Sequence, residues 1–156
     1  MKIRRFFQDT RGSASIWVAF AMLILFTLSF VVYSAVTVYA KYQTCETELE
    51  RAAIVTVDMS MVNPNVRDSV LNISVIPAKA LLTDNLTGAG WTREDGNWMK
   101  RDGGKLIYSL EDMEITVEEK TIRIKAIFSM PAPWALGGMD EIRIPMEVRS
   151  SVLSIE

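Results

Sequence analysis

Residues 13–40 read SASIWVAFAMLILFTLSFVVYSAVTVYA, a run without one charged side chain. A helix crosses a bilayer with about 20 apolar residues at a rise of about 1.5 Å each, so this run is long enough to span. Its flanks are unequal. Residues 1–12 carry Lys2, Arg4, Arg5 and Arg11 against the single acid Asp9, a net charge of +3. Residues 41–156 carry 13 basic and 18 acidic side chains, a net charge of −5. Basic residues beside a first span favour retention in the cytoplasm. The sequence therefore places the N-terminus inside and residues 41–156 outside, at the cell membrane. The acidic balance of the outer part excludes nucleic acid as a partner, because phosphate backbones call for a basic face.

A cleavable signal peptide has an apolar core of about 7–15 residues. The run here is far longer, so it reads as a retained anchor. Thr27, Ser29, Ser34 and Thr37 interrupt it, but a hydroxyl in a helix can bond a carbonyl one turn back. No second run reaches spanning length, which makes the chain single-pass with lipid as its first partner.

No proline precedes Pro64, so the helix is expected to run on to about residue 60. Ala40, Leu49, Ala52, Ala53 and Val57 fall near one face. Lys41, Glu46, Glu48, Glu50 and Arg51 supply a polar one. Asn63-Pro64-Asn65 then ends the helix. Val70–Ile76 alternates and predicts a strand. Pro77–Leu86 predicts a short helix or irregular turn. Residues 88–105, with five glycines among charges, predict an exposed excursion. Leu106–Leu110 predicts a short strand.

Met113–Glu118 and Thr121–Phe128 alternate with period two around Glu119-Lys120 and predict a hairpin. Ile122, Ile124 and Ala126 should face the core, with Arg123 and Lys125 outward and opposite Glu114, Thr116 or Glu118. Trp134 should pack at the end of the sheet and Gly137-Gly138 should turn the chain. Ile142–Ile155 predicts a last strand, with Pro145 at an edge or bulge. The expected fold is α+β: a long N-terminal helix on a small antiparallel sheet. The expected organisation is a basic leader (1–12), a transmembrane helix (13–40), its extracytoplasmic continuation (41–62) and a sheet domain (63–156).

Little here suggests catalysis. Histidine is absent, which removes the commonest general base and zinc ligand. Neither a nucleophile–base set nor a metal-ligand spacing is visible, and no cofactor is called for. Glu111, Asp112 and Glu114 form an acidic cluster without the spacing of a calcium loop, so a solvated strand start is the simpler reading. The sequons at Asn72 and Asn85 are short enough to arise by chance. Cys45 has no partner within the chain. It reads as an unpaired helix thiol, with an intermolecular disulfide as the alternative. Trp91 and Trp98 sit in the glycine-containing excursion. They read either as cover for the sheet edge or as exposed partner contacts.

Arg11-Gly12-Ser13-Ala14-Ser15-Ile16, leading straight into the apolar run, resembles the N-terminus of type IV pilin-like proteins. Within these it resembles the TadE/TadG-like minor pseudopilins of the tight-adherence (Flp, type IVc) pilus system. The strand ending Ile127-Phe128-Ser129-Met130-Pro131, followed by Ile142–Ile155, is similar to the end of such domains. The resemblance implies a structural subunit whose partners are other pilin-like subunits and Tad-type assembly platform proteins. It also implies a prepilin peptidase that cuts between Gly12 and Ser13. Many relatives of that kind carry glutamate five residues after the cut; Trp17 stands there in this chain. The competing reading from the same residues is a single-pass extracytoplasmic binding module that recruits a partner without forming a pilus.

Overall fold

The computed structural model describes residues 10–60, 75–118, 121–133 and 140–151. The chain divides into two compact units, Met1–Ala40 and Lys41–Glu156. Helix α1, Thr10–Ser60, contributes to both. It has neither a proline nor an internal glycine beyond Gly12 to break it. In the first unit it is the only described element.

In the second unit α1 lies on a sheet together with a second helix, α2 (Val75–Gly88). The α+β expectation thus matches the structure. Cys45, Leu49, Ala52, Ala53, Thr56, Val57 and Ser60 are buried. Their spacing alternates between four and three residues with neighbours filling in, which keeps one stripe of a 3.6-residue helix facing inward. Ala40, grouped with this face on the sequence, is exposed. The two hydroxyls in the stripe are satisfied. Thr56 Oγ1 donates to the Ala52 carbonyl at 2.6 Å, and Ser60 Oγ to that of Val57 at 3.2 Å.

α2 buries Ala78, Leu82 and Leu86 at four-residue spacing. The strand expected over Val70–Ile76 lies mostly outside the described residues, and its last two members open α2 instead. Pro77 is third in that helix. The first four N–H groups of a helix have no intrahelical partner, so a missing donor costs nothing there. Asn85 Nδ2 donates to Thr56 Oγ1 at 3.0 Å and ties α2 to α1.

The sheet is a five-stranded antiparallel meander in the order β1 (Trp91–Glu94), β2 (Asn97–Asp102), β3 (Lys105–Glu118), β4 (Thr121–Pro131) and β5 (Glu141–Ser151). The stretch read as an exposed excursion is in fact the β1–β2 hairpin and the turn into β3. Asp95 and Gly96 have φ of 50° and 87°, and Gly103 and Gly104 have φ of 55° and 81°. Positive φ at both central residues is the type I′ hairpin turn, whose twist matches that of the strands.

The third hairpin places Thr116 opposite Arg123 and Glu114 opposite Lys125, as the sequence predicts, and Glu118 opposite Thr121 rather than a basic residue. Its connecting residues lie outside the described set, as do the predicted helix stop at Asn63-Pro64-Asn65, Trp134 and the Gly137-Gly138 turn. Ile122, Ile124 and Ala126 are buried, with Phe128 and Met130 beyond them.

Two short strands were expected between Leu106 and Glu118; β3 is a single strand of 14 residues. Leu110 pairs with Phe128 and Ile115 with Ile124, so β3 spends one residue more than β4 between Glu111 and Glu114. Asp112, at φ 50°, occupies this bulge. An extra residue reverses which parity faces the core. Leu110 before it and Ile115 after it therefore lie on the same side. β5 is an edge strand, and Pro145 sits within it opposite Ile127. Proline lacks an N–H and is confined to such positions in sheets.

The stripe gives a direct comparison on one helix. Leu49→Ala should lower the stability of the folded chain in detergent by about 2–5 kcal/mol, the usual cost of emptying a buried leucine site. Ile54→Ala, at a half-exposed position, should cost well under that. Denaturant titration followed by tryptophan fluorescence would read both. Equal losses would show that the stripe is not the packed face.

Candidate functional site

The surface that sets this chain apart is residues 14–40. Met22, Leu23, Ile24, Leu25 and Phe26 are each between 49% and 74% exposed. Five consecutive residues go more than once round a helix of 3.6 residues per turn, so the surface is apolar on every side. None of the most apolar 18-residue window is buried. Leaving a large aliphatic or aromatic side chain in water forgoes about 1.5–3 kcal/mol relative to burying it. A helix apolar all round needs an apolar surrounding, and length and composition make this one a possible membrane span.

Two of its hydroxyls behave as such a surrounding requires. Thr27 Oγ1 donates to the Leu23 carbonyl and Thr37 Oγ1 to that of Tyr33, each at 2.9 Å. Trp17 and Phe20 pack edge to face with centroids 6.4 Å apart. Gly12 and Ser13, the residues read as a processing site, lie in the first turn of α1.

The second unit holds a polar node beneath α1. Glu48, expected on the solvent face, turns to the sheet. It accepts a hydrogen bond from Trp91 Nε1 at 2.9 Å and an ion pair from Lys100 Nζ at 3.0 Å. Lys100 also donates to the Ala89 carbonyl at 2.6 Å, just past the end of α2, and lies 5.6 Å from the centroid of the Trp91 ring. Trp91 and Lys100 are register partners on β1 and β2. One lysine thus joins α1, the end of α2 and the sheet.

Next to the node an aromatic row runs from Trp91 to Tyr108, Phe128 and Tyr42, with successive centroids 5.4, 5.7 and 5.6 Å apart. Burial, with Glu48 adding to it, pushes the Tyr108 phenol well above its ordinary range.

This arrangement bears on Trp91, Trp98 and Cys45. Trp91 and Trp98 are 1% and 5% exposed. They are core residues of the hairpin, and the reading of them as exposed partner contacts is corrected. Indole rings at alternate positions on the inner face of two strands fill the volume under the helices, while Arg93 covers Trp98 at 6.0 Å. Cys45 is fully buried. Burial first, then Glu48 and Glu46, pushes its thiol up from 9.0 to about 12. A buried, protonated thiol is neither accessible nor nucleophilic, so the intermolecular disulfide is also corrected.

The Asn85 sequon is engaged through its side-chain bond to Thr56; the one at Asn72 lies outside the described residues. In the acidic cluster, Glu111 pairs with Arg143 at 3.5 Å and Asp112 forms the bulge. Among the described residues no group of three or more histidine, cysteine or acidic side chains is placed to hold a metal ion.

No family model, characterised protein or solved structure matches this chain. The reading of function therefore rests on the residues and the fold. The node was missed on the sequence because Glu48 looks like one more charge on a polar helix face. The available signal was Lys100 alternating with Trp98 on a strand, which puts the lysine on the indole side of the sheet.

Two outcomes follow from the node. Trp91→Phe removes one charge-assisted donor to Glu48 and leaves part of the buried indole volume empty, so stability should fall by at least about 1.5–3 kcal/mol in denaturant titration. A neutral result would show that Glu48 is held by Lys100 alone. The second concerns alkaline pH. The unfolded thiol ionises near 9 while the folded one resists to about 12. The stability it contributes is therefore complete below pH 9 and lost as pH rises toward 12, by up to about 1.4 kcal/mol per pH unit. Cys45→Ala should make the decline between pH 9 and 11 shallower. Tyr42 and Tyr108, raised by burial, keep part of it.

Proposed function

We propose that this chain is a non-catalytic, single-pass membrane subunit of the TadE-like, minor-pseudopilin kind. Its N-terminus is cytoplasmic, and residues 41–156 form an extracytoplasmic domain. Such a subunit works by assembly. It would associate with other pilin-like subunits and with the platform proteins of a Tad-type pilus or related secretion apparatus.

One observation carries this reading. From Ala14 to Tyr33 the helix is exposed at every position and carries no charge, and it stays uncharged through residue 40. From Lys41 charges enter the helix, and one stripe, Cys45 to Ser60, is buried against an antiparallel meander while Ile54, Val55 and Met59 stay exposed on the other side. A simple tether needs only the first half of that helix. The use of the second half as the main core element of a small sheet domain is the pilin-like feature. The charge asymmetry about the span supports the orientation. The absence of histidine from the chain supports a non-catalytic role. The binding-module alternative loses its contact surface, because Trp91 and Trp98 are buried.

Gly12-Ser13 at the start of the helix is the proposed cutting point of a prepilin peptidase, with Trp17 in the place of the usual glutamate. Intact-mass measurement on the membrane-purified protein tests this. A mature chain beginning at Ser13 is the expected result in cells that contain the peptidase. A chain beginning at Met1 in such cells would remove the processed-pilin version. Failure of any pilus-assembly component to co-purify after mild cross-linking would remove the assembly role itself.

A further inference from the structure

Resting on the membrane reading above, we propose that the bilayer occupies one particular register on α1, with Trp17 at the inner interface, Tyr39 at the outer interface and Leu28 at the midplane. The occupant of this apolar surface is a lipid bilayer of ordinary thickness, and three observations fix its position. Trp17 and Tyr39 are 69% and 60% exposed, and such amphipathic rings concentrate at membrane–water boundaries. They lie 22 positions apart, which is about 33 Å along a helix, or about 31 Å at a tilt of about 20°. The hydrocarbon core is about 30 Å thick.

The charges give a second, independent ruler. In the uncut chain Arg11 is the last charged residue before the run and Lys41 the first after it. Their 30-position separation is about 45 Å, close to the thickness of a bilayer with its headgroups. The midpoints of the two rulers fall at residues 28 and 26, about 3 Å apart along the axis. Aromatic rings and charges therefore centre the membrane at nearly the same place.

Tyr33, 70% exposed, defines a competing register. Trp17 to Tyr33 spans only about 24 Å, short of the hydrocarbon thickness. It centres the membrane on Leu25 and leaves Val36, which is 60% exposed, on the water side. The Tyr39 register covers Val36 with lipid, which is the better use of apolar surface.

The test is a depth profile of the full chain in dioleoyl-phosphatidylcholine vesicles. Single nitroxides are attached at Met22→Cys, Leu25→Cys, Leu28→Cys, Val31→Cys and Val36→Cys. Native Cys45 can remain, because its buried thiol does not compete for label; unmodified chain is the control. The ratio of oxygen to nickel-chelate accessibility should peak at Leu28 and fall on both sides. A peak three residues earlier, at Leu25, would overturn the proposal in favour of the Tyr33 register while leaving membrane insertion intact. Free nickel-chelate access at every site, with no maximum, would overturn the register and the membrane reading together.

Discussion

The stripe from Cys45 to Ser60 is the constraint on which the sheet domain depends. A five-stranded meander has two faces, and an antiparallel sheet of this size needs one of them covered to be stable. Here the cover is the C-terminal part of α1 with α2 beside it. Leu49 is the largest aliphatic side chain on the α1 stripe. Ala52 and Ala53 are small, and Thr56 turns its hydroxyl back into its own helix and accepts from Asn85. The inner sheet face answers with Trp91, Trp98, Tyr108, Leu110 and Phe128. Large rings from the strands meet small residues from the helix, which is how facing layers fill volume without voids.

Within that apolar layer the Glu48–Lys100 pair is a specific exception. It stays partly wet, with side chains 28% and 19% exposed, so its desolvation cost is moderate. Its use is geometric. A carboxylate on a helix and an ammonium on a strand, both also bonded to third groups, select one rotation of α1 over the sheet. The opposite sheet face is a mosaic of charges. Arg123, Arg149 and Glu147 cluster there, and Arg143 bridges Glu111 and Glu141. Arg149 and its neighbours hold the Glu147 carboxyl below its usual range. Such exposed pairs contribute little each and mainly keep that face in water.

Much of this was legible in the sequence, because the strongest signals were long or strictly periodic. The apolar run announces itself by length. The hairpin joining β3 and β4 announces itself by alternation, and the last strand by its isoleucines and arginines. Failures came where one residue changed the rule. Asp95-Gly96 and Gly103-Gly104 looked like loop composition, but at a separation of two they are hairpin turns, and reading them as such would have placed Trp91 and Trp98 on strands. Asp112 breaks parity, so a single alternating strand looked like two. Val75 and Ile76 looked like the end of an alternating strand, but they open the helix whose third residue is Pro77. Of the candidate site, the apolar surface was readable in full. Glu48 was not, because nothing local tells a charge that faces solvent from one that reaches a lysine 52 residues away.

The position of Pro145 bears on how this domain behaves in a crowd. An outermost strand is a template on which a stray chain can add itself, and long flat rims seed aggregates. β5 is 11 residues long, enough to be a hazard. A proline in its middle deletes one donor from the row, and Glu141, Arg143, Glu147 and Arg149 ring it with charge. On the membrane placement proposed above, many copies of such a domain would accumulate side by side in one plane. A rim that refuses to be extended lets copies crowd together without fusing their sheets.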